Sequence, residues 1–130
     1  MSNQMTEKDL PAHKGDIAAA QRIVDAGMPE IEPIIGGILG WLQDYNWPVA
    51  KVLDQAFLGM GEEIVPHIKE IFESDDSVWK YWIIVIVVPK LSLEAQVALR
   101  AEIDRISKSP TNDELVEEVA AVATEYLRSI

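Results

Sequence analysis

Two short stretches of this chain repeat one design thirty-two residues apart. Asp44-Tyr-Asn-Trp47 and Asp76-Ser-Val-Trp79 each set an acidic residue three places before a tryptophan, between two apolar periodic segments. The segments ahead of them also match. Ile31, Pro33, Ile35, Ile38 and Leu39 align with Ile64, Pro66, Ile68, Ile71 and Phe72, thirty-three residues on. A period in the low thirties with helical spacing inside each unit marks a solenoid of helical hairpins, in which each unit buries its apolar face against its neighbours. The expected fold is therefore an all-α superhelix of about seven helices, three hairpins behind one leading helix.

In chain order, residues 1–15 are polar and interrupted by Pro11 and Gly15, which predicts a flexible or irregular arm ahead of a single helical domain over 16–130. Asp16 fits the N-cap of a helix over Ile17 to Ala26, and Gly27 fits its stop. Pro29 suits the first position of a second helix, whose apolar residues run from Ile31 to Leu42 at i, i+3, i+4 spacing. Pro33 inside it either kinks this helix or moves its start later. Asn46 is read as the cap of a third helix from Trp47 to about Met60, and Ile64 to Phe72 line a fourth.

Tyr81 to Val88 is β-branched and aromatic, and in isolation it reads as a buried strand. The repeat places it where Val49 to Ala56 fall, in an inner helix, and nothing else in the chain resembles a strand to pair with it. A helix ending at Pro89 is the expectation. Ser92 opens a sixth helix, which stops near Ser109-Pro110. Thr111 to Glu114 forms a capping-box pattern for a seventh, whose stripe runs through Leu115, Val119, Val122 and Tyr126. The acidic residues 113, 114, 117 and 118 suit its N-terminal turns, where the helix dipole favours them.

The stretch from Ile34 to Leu53, with Gly61-Glu-Glu-Ile-Val-Pro-His-Ile-Lys-Glu70 and Ser74-Asp-Asp-Ser-Val-Trp-Lys-Tyr-Trp82, resembles a bacterial family, the domain of unknown function 5071 family. The resemblance covers about residues 10–127, and residues 41–50 and 78–82 are its most specific parts. It implies a small HEAT-like helical fold. It implies no activity, substrate or catalytic residue.

Composition narrows the chemistry. Without cysteine there is no disulfide, thiolate metal site or cysteine nucleophile, which fits a reducing, cytoplasmic setting. Eleven Lys and Arg stand against 22 Asp and Glu, a net charge of −11, which disfavours nucleic acid and attracts a basic protein. The longest apolar run, Tyr81 to Pro89, has nine residues, about half of what a membrane span needs. No glycine-rich phosphate loop, nucleophile elbow or cofactor motif is present.

Two groups of residues stand out. Asn46, Trp47, Lys51, Asp76, Trp79 and Lys80 lie at the two repeated corners, where aromatic and charged groups can form a protein-binding row. Packing at the hairpin ends accounts for the same tryptophans without a partner. Glu63, His67 and Glu70, spaced i, i+4, i+7, are a weak metal candidate, since metal sites draw ligands from more than one element. The first reading is a non-enzymatic protein-interaction module, and its sharper form is an inhibitor or immunity-type protein for a basic partner. The alternative is a metal-dependent or hydrolase-like enzyme using the Glu63/His67/Glu70 face. A homo-oligomeric structural subunit is a third reading.

Overall fold

The computed structural model describes residues 4–130. Every regular element among them is helical: α1 Ile17–Ala26, α2 Ile35–Gly40, α3 Pro48–Leu53, α4 Val65–Glu73, α5 Ser77–Trp82, α6 Leu93–Lys108, α7 Asn112–Val116 and α8 Val119–Ser129. The arrangement is HEAT-like. Helix α1 packs on α3, α4 packs on α5 and α6, and α8 packs on both α5 and α6.

The two repeat prolines both open helices. Pro33 lies in a 3-10 turn, Glu32–Ile34, that leads into α2, and Pro66 lies in the first turn of α4. A proline has no N–H to donate, and in a first turn that N–H has no intrahelical partner anyway. The helix expected from Pro29 therefore begins at Glu32. Asp16 caps α1 through Ala19 N–H at 3.3 Å, and Gly27 ends it at φ 64°, where a side chain would be strained.

Asn46 is not a cap. Trp47 takes that place with extended backbone and no side-chain bond, and Pro48 opens α3. The Asn46 N–H instead donates to Asp44 Oδ1 at 2.8 Å. Helix α3 then tightens into a 3-10 turn, Asp54–Phe57.

The β-branched segment is helical, as the repeat requires. Helix α5 continues through a π-helical turn, Ile83–Val87, and a 3-10 turn, Val88–Lys90. Ile83, Ile84, Val87 and Val88 are buried there, against α8 and the end of α3. The ends of the two inner segments are tied by Gly59 N–H to Lys90 O, 2.7 Å, and Ser92 N–H to Met60 O, 2.9 Å.

The last predicted helix is two helices. The capping box at Thr111 and Glu114 forms as expected, but Glu118 adopts a left-handed conformation, φ 63°, between α7 and α8. The break leaves Leu115 and Val116 exposed, at 57% and 67%, rather than in the core stripe. Val119, Ala120, Ala123 and Tyr126 of α8 face inward instead.

Residues 1–3 of the predicted arm lie outside the described residues. From residue 5 the arm follows the body: Met5 N–H donates to Glu30 O at 2.8 Å, and Val49 N–H donates to Lys14 O at 3.1 Å. Leu10 fills the space beside Gly37, where a Cβ would stand 2.5 Å from Leu10 Cδ1.

Candidate functional site: the corner between α4 and α5

The corner Ser74–Asp76 is built by local hydrogen bonds. Ser74 Oγ–H donates to Ile71 O at 2.6 Å and accepts Asp76 N–H at 3.3 Å. Asp76 Oδ1 then caps α5 through Trp79 N–H at 3.0 Å. A hydroxyl bonding back to the last turn and a carboxylate opening the next helix convert a sharp reversal into a rigid one.

Behind this corner lies a buried ionic cluster that sequence reasoning missed. Lys80 is 4% exposed, and its Nζ donates to Glu114 Oε2 at 2.9 Å. Arg105 completes a bidentate pair on the same carboxylate, at 2.6 and 2.9 Å. Burial pushes the Glu114 carboxyl up, but Arg105, the Thr111 N–H and Lys80 outweigh it and hold it down at about 2. Lys80 is thus a structural cation, not a surface partner for Trp79 as the corner row had it. Nothing in the spacing of residues 80, 105 and 114 signals that they meet.

The other lysine of this segment, Lys69, is only part-buried and has a carboxylate of its own nearby. Lys69 leans toward Glu102 at 3.7 Å. The edge therefore presents Glu70, Glu73, Asp75 and Asp76, and none of them has an ion-pair partner among the described residues. A groove of about 400 Å³ follows this edge; Glu73, Asp75, Asp113 and Ser77 line it, and the Lys80–Glu114–Arg105 cluster forms its floor. Ser77 is only 6% exposed, and its Oγ has no partner.

A second pocket, of about 300 Å³, lies between α2, α4 and α5 and shares Ser74 with that groove. Gly36, Leu39, His67, Glu70, Ile71 and Trp79 are its other lining residues. Trp79 is part-buried, its Nε1–H bonded to Leu39 O. His67 lies against α2, so close that a Cβ on Gly36 would stand 3.3 Å from His67 Nδ1.

The three residues of the metal candidate do not converge. Glu63 turns to Gly61 N–H, 3.1 Å away, and lines a separate groove with Val24 and Gly27. His67 and Glu70 alone share a pocket. Among the described residues, no three His, Asp or Glu side chains gather as a metal-holding group.

At the other corner, Trp47 meets Trp41 edge-on with centroids 5.6 Å apart, while Asn46 and Lys51 are exposed. Tyr45 beneath it donates to Asp54 at 2.6 Å. That bond raises the phenol to about 12.

The family model for a domain of unknown function, DUF5071, matches residues 10–127. The chain belongs to this family. The match takes in α1 to α7 whole and α8 up to Leu127, so both corners lie inside the DUF5071 domain. No curated protein matches the chain. No helix among the described residues is long and apolar enough to cross a membrane. Membership of DUF5071 brings a fold without an assigned chemistry, and the corner stands on its own geometry.

Proposed function

We propose that the protein is a non-enzymatic interaction module that binds a basic protein partner along the α4–α5 corner edge. One observation carries the reading: both lysines of the segment 69–80 pair with other carboxylates, and Glu70, Glu73, Asp75 and Asp76 have no ion-pair partner among the described residues. Unpaired acidic groups above a rigid backbone attract a cationic surface and speed its approach. Asp76 and Trp79 belong to this edge. Asn46 and Trp47 stand at the equivalent corner of the preceding hairpin and extend the contact, while the exposed Lys51 beside them marks where a basic surface is repelled. A small protein of net charge −11 suits the neutralisation of a basic partner, in the manner of an inhibitor or immunity protein.

The test uses a fluorescent oligolysine peptide as the probe, with anisotropy measured at rising salt. Affinity is expected to fall steeply with ionic strength, and to vanish in a Glu73→Lys/Asp75→Lys/Asp113→Lys variant that keeps its helical circular dichroism. Binding indifferent to both salt and this reversal sinks the proposal.

A further inference from the structure

We infer that the pocket between α2, α4 and α5 receives a single cationic side chain, arginine or lysine, from the protein partner. The inference rests on the proposed binding of a basic protein and locates its anchor.

The polar groups of the pocket determine what it can hold. Two of its donors are already committed: Ser74 Oγ–H to Ile71 O and Trp79 Nε1–H to Leu39 O. Glu70, an acceptor only when ionised, makes no hydrogen bond or ion pair among the described residues, and neither does the His67 side chain. An anion entering here meets the Glu70 carboxylate and two spent donors, and only the His67 ring N–H remains to bind it. A guanidinium or ammonium meets a free carboxylate and forms the charge-assisted bond that these groups favour.

The walls fit the rest of such a side chain. Leu39, Ile71 and the Trp79 indole supply apolar surface for an aliphatic stem, and tryptophan is the strongest aromatic partner for a cation. A volume of about 300 Å³ accommodates one long side chain. No lysine or arginine lines the pocket; Lys80 is held by Glu114, and Lys69 lies toward Glu102. Ser74 borders both this pocket and the acidic groove, so a basic segment lying on Glu73 and Asp75 passes the pocket mouth.

The experiment titrates isotopically labelled protein with three peptides of alternating glycine and arginine, lysine or citrulline. Resonances of the Trp79 indole N–H and the Gly36 amide report the pocket, and the Asp75 and Asp113 amides report the groove. Saturable shifts at Trp79 and Gly36 are expected with arginine or lysine, and none with citrulline. Glu70→Gln, an exposed substitution that leaves the fold intact, is expected to weaken binding about tenfold. Gly36→Ala presses on His67 without changing any charge, and it is expected to weaken binding as well. Shifts confined to Asp75 and Asp113 and indifferent to Glu70→Gln overturn the pocket and leave the groove standing. Equal binding of the citrulline peptide overturns the cationic specificity. No binding by either cationic peptide defeats the proposed function itself.

Discussion

Trp79 Nε1–H donates a 2.9 Å hydrogen bond to the carbonyl of Leu39, forty residues away in sequence. That carbonyl lies in the last turn of α2, where helix carbonyls lack intrahelical donors, and it also accepts Leu42 N–H at 2.9 Å. The inner helix of one hairpin thus finishes the outer helix of the hairpin before it. Trp47, at the matching position of the repeat, has no such bond and rests against Trp41 instead.

This asymmetry predicts unequal costs for equal substitutions. Trp79→Phe removes a part-buried hydrogen bond and is expected to lose about 1–1.5 kcal/mol in urea unfolding. Trp47→Phe keeps an aromatic edge against Trp41 and is expected to lose less than about 1 kcal/mol. The reverse order in the two unfolding midpoints contradicts the assignment.

Glu114 holds Arg105 and Lys80 together, so its loss strands a buried ammonium. Glu114→Ala is expected to cost about 3–5 kcal/mol, and Lys80→Met less, because Arg105 then keeps the carboxylate paired. The same group sets the acid response. Its carboxyl falls from 4.5 to about 2 on folding, so below pH 4.5 the unfolded chain binds the extra proton and stability drops until pH reaches about 2. Thermal melts over that window should fall more steeply for the natural protein than for Glu114→Gln. Parallel slopes refute the coupling.

Gly37 is a glycine for the sake of Leu10. A Cβ there would meet three atoms of the Leu10 side chain, at 2.5, 3.2 and 3.4 Å, so that side chain must leave its place. Gly37→Ala alone is expected to destabilise the protein despite alanine's helix advantage of about 1 kcal/mol. On a Leu10→Ala background the same change is expected to stabilise. A double-mutant cycle with no sign change removes the contact from the account.

Among the described residues, Glu118 is the non-glycine residue with positive φ, at 63°, and a left-handed conformation costs an L-residue about 1–2 kcal/mol. Glu118→Gly is expected to raise stability by about 0.5–1 kcal/mol, part of the relief being lost to glycine's greater freedom when unfolded. A lowered melting temperature contradicts this reading of the break.

The helical order was legible because repetition supplied what local propensity could not. Ile83 to Val88 is a strand by residue type, yet the alignment of Trp79 on Trp47 made it an inner helix, and it is one. Pro33 stayed open between a kink and a later helix start, and the structure decides it: like Pro66, it opens a helix. The corner at Asn46 was misread at the level of a single bond. Asp44 accepts the Asn46 N–H within the turn, and Trp47 takes the cap position without a side-chain bond because Pro48, lacking an N–H, opens the helix.

The candidate site divides along the same line. Trp79, Asp76, His67 and Glu70 were visible from spacing and residue type. The withdrawal of Lys80 was not, because its partner lies thirty-four residues on and a buried ion pair has no sequence period.

The sequence by itself determined an all-helical chain of repeated hairpins, because apolar spacing, prolines and caps act over only a few residues. The tertiary structure alone decided which charges cancel and which remain. Lys80 and Arg105 close on Glu114 while Glu70, Glu73 and Asp75 stay open, since electrostatic pairing depends on distances in space that arise only when the hairpins pack.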